Sequence, residues 1–180
     1  FDGIGKASKL QFLNLDATGL KTFAGIEASP SLKILHATMN ELTTFPNEVL
    51  QLINLEVLYL SYNKFNMNLP NFSGLTKLGY FQCKECALTG VLPDWLGTMQ
   101  SLRYLSLSHN ILTGAIPSGL NELQLLEHLD LSEQTPRGGG LTGSVSDFKT
   151  LENLSSLYLN RNRLSGELNT SFLQKVDSYS

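Results

Sequence analysis

The chain has 180 residues, 42% of them hydrophobic, with 13 basic and 16 acidic side chains and a formal net charge of -3. That length and apolar fraction suffice for a sizeable core in a soluble globular protein, and the weak acidic charge excludes the electrostatic footprint of a nucleic-acid or anionic-membrane binder. No apolar run approaches the roughly 18 residues of a membrane span. The opening Phe1-Asp2-Gly3 lacks the basic and apolar blocks of a signal peptide, so a secreted form is expected as mature or trimmed material.

Along the chain, leucine recurs at Leu10, Leu32, Leu55, Leu78, Leu102, Leu126 and Leu154, at intervals of about 22 to 28 residues. Each opens the same frame, apolar at the fourth and sixth places and usually Asn at the ninth, as in Leu102-Leu105-Leu107-Asn110 and Leu154-Leu157-Leu159-Asn162. A single strand and return loop exposes as much hydrocarbon as it covers, so the repeats must stack on one continuous core. One domain over 1–180 is therefore predicted, with an insertion at 133–140. In Leu102–Leu107, alternation sends Leu105 and Leu107 inward and Tyr104 and Ser106 outward, which predicts one parallel strand per repeat. At the ninth place a short polar side chain turns inward to satisfy the bend that leaves the strand. Asn40, Asn63, Asn110 and Asn162 are the expected ladder, with Thr18, Cys86 and Gln134 in equivalent places.

A second signature follows the ladder residue in the later repeats: Leu88-Thr89-Gly90-Val91-Leu92-Pro93, Leu112-Thr113-Gly114-Ala115-Ile116-Pro117, Leu141-Thr142-Gly143-Ser144-Val145 and Leu164-Ser165-Gly166-Glu167-Leu168. With these segments the chain resembles the plant-type leucine-rich repeat proteins, the class of receptor-like kinase ectodomains and polygalacturonase-inhibiting proteins. The resemblance implies an α/β repeat fold, a leucine-rich repeat solenoid of about seven repeats. Its curved parallel β-sheet would form the concave face, and a second short sheet and 3-10 or helical turns, such as Ser118–Leu123, the convex side. It also implies an extracellular or cell-surface, secreted protein. The first two repeats, with Leu20-Lys21-Thr22-Phe23 and Leu42-Thr43-Thr44-Phe45-Pro46, lack the glycine, and the paired-cysteine caps usual in extracellular members are missing.

The remaining motifs carry no catalytic chemistry. Cys83 and Cys86 form a Cys-x-x-Cys, but the frame puts one at the core-facing sixth place and the other on the ladder, and a zinc site would lack further ligands. His36, His109 and His128 fall in outward columns, with Asp130 and Glu133 near the last two, and read as solvated polar residues, a pH-sensitive patch being the alternative. Ser106, Ser108 and Ser132 have no base and acid arranged as a triad. No enzyme, cofactor or metal is expected. Gly3–Ser8 lacks the glycine spacing of a phosphate loop. In the insertion, the run Gly138-Gly139-Gly140 predicts a flexible edge loop carrying Arg137.

Function is expected on the concave sheet, where the third, fifth, seventh and eighth places face solvent on a rigid platform. Phe12, His36, Tyr59, Tyr62, Tyr80, Gln82, Tyr104, His128, Asp130 and Tyr158 form the expected ligand-binding band, rich in aromatics that bury large area at low entropic cost. The alternative is that these rings stabilise the sheet. Sequons at Asn71, Asn153 and Asn169 lie off the strand columns and suit a glycoprotein with a clear concave face. Two function classes follow: a non-catalytic recognition module for a protein, peptide or polysaccharide, or a structural glycoprotein whose uncapped solenoids stack end to end into a filament. Neither inserts directly into a membrane.

Overall fold

The computed structural model describes residues 7–134, 139–145, 151–167 and 178–179. Its strands, in chain order, are β1 (Phe12–Asn14), β2 (Ile34–His36), β3 (Val57–Tyr59), β4 (Tyr80–Gln82), β5 (Thr89–Val91), β6 (Tyr104–Ser106), β7 (Ile111–Ala115), β8 (His128–Asp130), β9 (Gly140–Thr142), β10 (Ser156–Tyr158) and β11 (Ser178–Tyr179). Eight of them build one parallel sheet in the order β1-β2-β3-β4-β6-β8-β10-β11. The register pairs like frame places, so Val57, Tyr80, Tyr104, His128 and Ser156 stand side by side. The eighth strand, β11, pairs Ser178 with Ser156 and extends the seven repeats counted from leucines, because its frame opens on Val176 instead.

The Leu-Thr-Gly segments form the second sheet, in the order β5-β7-β9, flanked by single bridges from Asn68 to Thr89 and from Ser144 to Ser165. Gly90 and Gly114 both take φ of 76°, a left-handed conformation open to glycine at no steric cost. Repeats that lack this glycine lack the second strand. Pro46, Pro93 and Pro117 precede the 3-10 turns Asn47–Gln51, Asp94–Thr98 and Ser118–Glu122. Each proline carbonyl accepts the first turn bond, from Val49, Leu96 and Leu120 at 3.0 to 3.1 Å, and a fixed φ suits that entry. Strands about 4.8 Å apart on one side and bulkier turns on the other bend the stack toward the long sheet.

Between the layers lies one core. Fourth-place residues Leu35, Leu58, Phe81, Leu105, Leu129 and Leu157 and sixth-place residues Leu60, Cys83, Leu107 and Leu131 are buried, whereas Leu10, Leu13, Leu15 and Leu20 of the first repeat are half-buried. Phe72 fills the centre, its ring 4.7 Å from Phe81 and 4.6 Å from Trp95, both edge-on, the geometry that aromatic quadrupoles favour.

The ladder is continuous. Asn110 Oδ1 accepts from the Cys86 and Leu88 amides at 3.0 and 2.9 Å, and its Nδ2 donates to the Cys83 and Leu107 carbonyls at 2.8 Å each. Asn40, Asn63 and Asn162 make the same kind of bonds. The longer Gln134 reaches the Leu112 amide and the Leu107 carbonyl from the same place, and the Cys86 thiol donates to Leu60 O at 3.2 Å. Among the described residues, no buried side-chain nitrogen or oxygen is left without a partner.

Candidate functional site

Strand alternation turns the third and fifth frame places out of the long sheet, and register brings their rings into two rows. In the first row, Phe12 meets His36 edge-on at 5.5 Å and His36 stacks on Tyr59 at 4.7 Å. The second runs from Tyr80 to Tyr104 at 6.5 Å, to His128 at 4.3 Å with planes only 6° apart, and on to Tyr158 at 5.5 Å. Phe12 is 51% exposed and Tyr80 38%. His36, Tyr59, Gln82, Tyr104, His128, Asp130 and Tyr158 are half-buried. Within each row the rings pack on one another, as the reading of sheet stabilisation expects, and together the two rows line the outward face of the sheet.

Polar residues around the second row are partly engaged internally. Asp130 accepts the Ser132 hydroxyl at 2.6 Å and the Ser132 amide at 3.1 Å on Oδ1, and the Ser106 hydroxyl at 3.4 Å on Oδ2. Ser61, Ser106, Ser108 and Ser132 are buried, which corrects the expectation that the fifth and seventh places all face solvent. Ser106, Ser108 and Ser132 bond to one another or to Asp130, as in the 3.5 Å contact between the Ser106 and Ser108 hydroxyls, and Ser61 Oγ accepts the Lys84 amide at 3.0 Å. Burial lowers the pKa of His128, and Asp130 offsets part of that. Burial raises Tyr104, with Asp130 adding to it, and raises Tyr59 as well.

The eighth frame place supplies a feature that alternation does not show. Ala17, Met39, Tyr62, Glu85, His109, Glu133 and Arg161, one per repeat, all have φ between 52° and 60°. This left-handed residue redirects the chain before each ladder side chain and leaves a row along one edge of the sheet, with Met39 62% and Tyr62 43% exposed. Beside it lies an open groove of about 430 Å³ lined by Tyr62, Lys64, Glu85, Ala87, His109 and Ile111. Of these, the sequence reading had placed only Tyr62 in the site. The signal it missed is the recurrence of polar or bulky residues at a place where the backbone, rather than the pleat, sets direction.

Other expectations fall elsewhere. Cys83 and Cys86 are both buried free thiols, and burial, with Cys86 adding to it, pushes the Cys83 thiol well above its usual range. No group of His, Cys, Asp or Glu able to hold a metal ion occurs among the described residues. No described helix is long and apolar enough to cross a membrane. Asn71 and Asn153 are exposed. Asn71 Oδ1 accepts the Ser73 amide at 3.0 Å, and Asn153 Nδ2 donates to Gln124 O at 2.6 Å. Asn169, and residues 135–138 of the insertion with Arg137, lie outside the described residues.

The leucine rich repeat pattern matches residues 84–134 in one form and residues 54–75 and 153–174 in another. Among solved structures, the chain is similar to a TDR receptor at 33% identity and a TM-score of 0.81, covering 97% of this chain and 31% of that one. It is similar to the leucine-rich repeat ectodomain of the receptor kinase SOBIR1 from Arabidopsis thaliana at 30% identity and a TM-score of 0.61, covering 67% of each chain. A third is the Arabidopsis receptor kinase HAESA ectodomain, solved in complex with an N-terminally extended IDA peptide hormone ligand, at 28% identity and a TM-score of 0.68. That match covers 89% of this chain and 31% of HAESA; the chain thus spans about a third of the length of two of these three. No curated protein matches the sequence significantly.

Proposed function

The chain belongs to the leucine-rich repeat family, and from that premise we propose that it is a non-catalytic recognition module, outside the cell or at its surface, whose long sheet binds a peptide or protein. The observation that carries this reading is the pair of aromatic rows on the open face, ending in the exposed rings of Phe12 and Tyr80. A rigid floor of rings offers large contact area without an entropic cost of ordering it. HAESA, a relative of the same architecture, is solved with a peptide hormone, which supports a peptide as the ligand class here. The rings also fit a polysaccharide, the competing ligand class.

The test is a binding assay with a displayed random peptide library, comparing wild-type protein with Tyr80→Ala/Tyr104→Ala. Selected peptides are expected to bind the double variant at least tenfold more weakly, since a buried aromatic anchor contributes about 2 kcal/mol or more, while circular dichroism stays unchanged. Equal affinity for both proteins would remove the aromatic floor from the binding site. The extracellular placement carries its own expectation: material made through a secretory pathway should lose mass on treatment with a peptide N-glycosidase, through glycans at Asn71 and Asn153. The alternative of end-to-end filaments draws on the half-buried Leu10, Leu13, Leu15 and Leu20. Light scattering after gel filtration decides it, a monomer mass setting self-assembly aside.

A further inference from the structure

Tyr62, Glu85 and His109 hold the same frame place in consecutive repeats, and Lys64, Ala87 and Ile111 follow each by two residues, so the edge groove is built from three equivalent steps. Parallel strands lie about 4.8 Å apart, so three frames span roughly 10 Å, a distance that an extended peptide covers with about three residues at roughly 3.3 Å each. The lining is chemically mixed. Tyr62, Ala87 and Ile111 present hydrocarbon, Lys64 an ammonium and Glu85 a carboxylate. Lys64, Glu85 and His109 are exposed, and among the described residues none of the three side chains has a hydrogen-bond or ion-pair partner. Lys33, Arg103 and Arg161, by contrast, are each paired with a glutamate of the adjacent repeat, at 3.1, 2.6 and 3.2 Å.

Building on the peptide-recognition reading, we propose that this groove is a specificity site for a short extended peptide segment in which one apolar side chain lies between an acidic and a basic one. The apolar side chain rests on Tyr62, Ala87 and Ile111, the acid meets Lys64, and the base meets Glu85. Charge complementarity favours a peptide over a neutral saccharide, because ionised side chains of both signs match Lys64 and Glu85. A volume of about 430 Å³ lies at the lower end of what small-ligand sites occupy, in keeping with a few residues rather than a whole ligand.

The test is to select a phage-displayed random heptapeptide library in parallel on wild-type protein and on the double variant K64E/E85K. The swap conserves net charge and alters only exposed side chains, and circular dichroism checks that the variant folds. Wild-type protein is expected to enrich peptides with an acid and a base flanking an apolar residue. A synthetic peptide of the enriched sequence should bind K64E/E85K at least tenfold more weakly, and the same peptide with its acid and base exchanged should regain affinity for the variant. Peptides bound equally by both proteins, yet weakened by Tyr80→Ala/Tyr104→Ala, overturn the groove and leave recognition by the sheet standing. Failure to enrich any peptide overturns both, and a glycan array whose binding depends on Tyr62 would then assign the groove to a saccharide.

Discussion

Asn110 shows how much one side chain carries in a stacked fold. Fully buried, it satisfies two amides of the preceding repeat's bend with one oxygen and two carbonyls with one nitrogen. Asn110→Ala would strand the Cys86 and Leu88 amides and the Cys83 carbonyl, while the Leu107 carbonyl keeps Gln134, and each buried orphan costs about 1–3 kcal/mol. A loss of about 3 kcal/mol or more is expected, read as a lower urea midpoint. His128 works through titration instead. Its pKa is lowered from 6.5 by burial between Tyr104 and Tyr158, with Asp130 opposing, so the unfolded chain binds more protons than the folded one just below that value. The contribution is complete above pH 6.5 and is lost as pH falls through the folded pKa. Thermal unfolding midpoints should therefore fall between about pH 7.5 and 5, and His128→Phe, which keeps a ring in the stack, should flatten that slope. Tyr59 and Tyr104 shift upward from 10.0, so their contribution is full below that value and declines as pH rises through it. The ladder residues were legible in the sequence because the chemistry of one bend selects them. The internal bonding of Asp130, Ser106 and Ser132 was not, because it depends on which neighbours stand beside them across strands.

Between elements, the 3-10 turns Asp94–Thr98 and Ser118–Glu122 approach each other closely. A Cβ on Gly97 would lie 2.4 Å from the Gly119 carbonyl oxygen and 2.8 Å from its Cα, whereas a Cβ on Gly119 would come no closer than 3.4 Å to anything, the Asp94 carbonyl oxygen. The contacts at Gly97 are backbone on backbone, so neither turn can yield without moving. Gly97→Ala is expected to cost roughly 1–3 kcal/mol by overpacking, while Gly119→Ala should stay within about 1 kcal/mol of wild type; differential scanning calorimetry on the pair separates the two. This asymmetry is invisible in the sequence, where both glycines sit in similar convex segments. The second sheet, by contrast, was expected from the resemblance of the Leu-Thr-Gly segments to plant-type leucine-rich repeats, and the structure shows a left-handed glycine in each of them, at Gly90, Gly114 and Gly143. Strand β11 escaped the reading, since it carries no leucine to mark its frame.

At the scale of the whole molecule, stability is a sum over repeats and the interfaces between them. Leu105 in the fifth repeat is fully buried and Leu13 in the first only half-buried, although both hold the fourth frame place. Leu105→Ala is expected to cost about 3 kcal/mol through lost transfer energy and a residual cavity, and Leu13→Ala about 1 kcal/mol or less by the same reasoning. Equilibrium denaturation in urea would show the larger shift for the central position, and equal shifts would contradict the argument from burial.

The sequence alone determined the repeat, the strand in each frame and the ladder, because each follows from a pattern of period two or of about two dozen residues that one solvent-averse core imposes; the second layer was legible only through the resemblance of its Leu-Thr-Gly segments to a known family. It also marked the aromatic columns that face outward. Only the tertiary structure decided which rings stack, which outward serines are covered, and where a groove lined by exposed charges opens. Those features arise from contacts between residues some 20 to 30 positions apart and from the left-handed turn at Tyr62, Glu85 and His109, whose side-chain directions no alternation rule encodes.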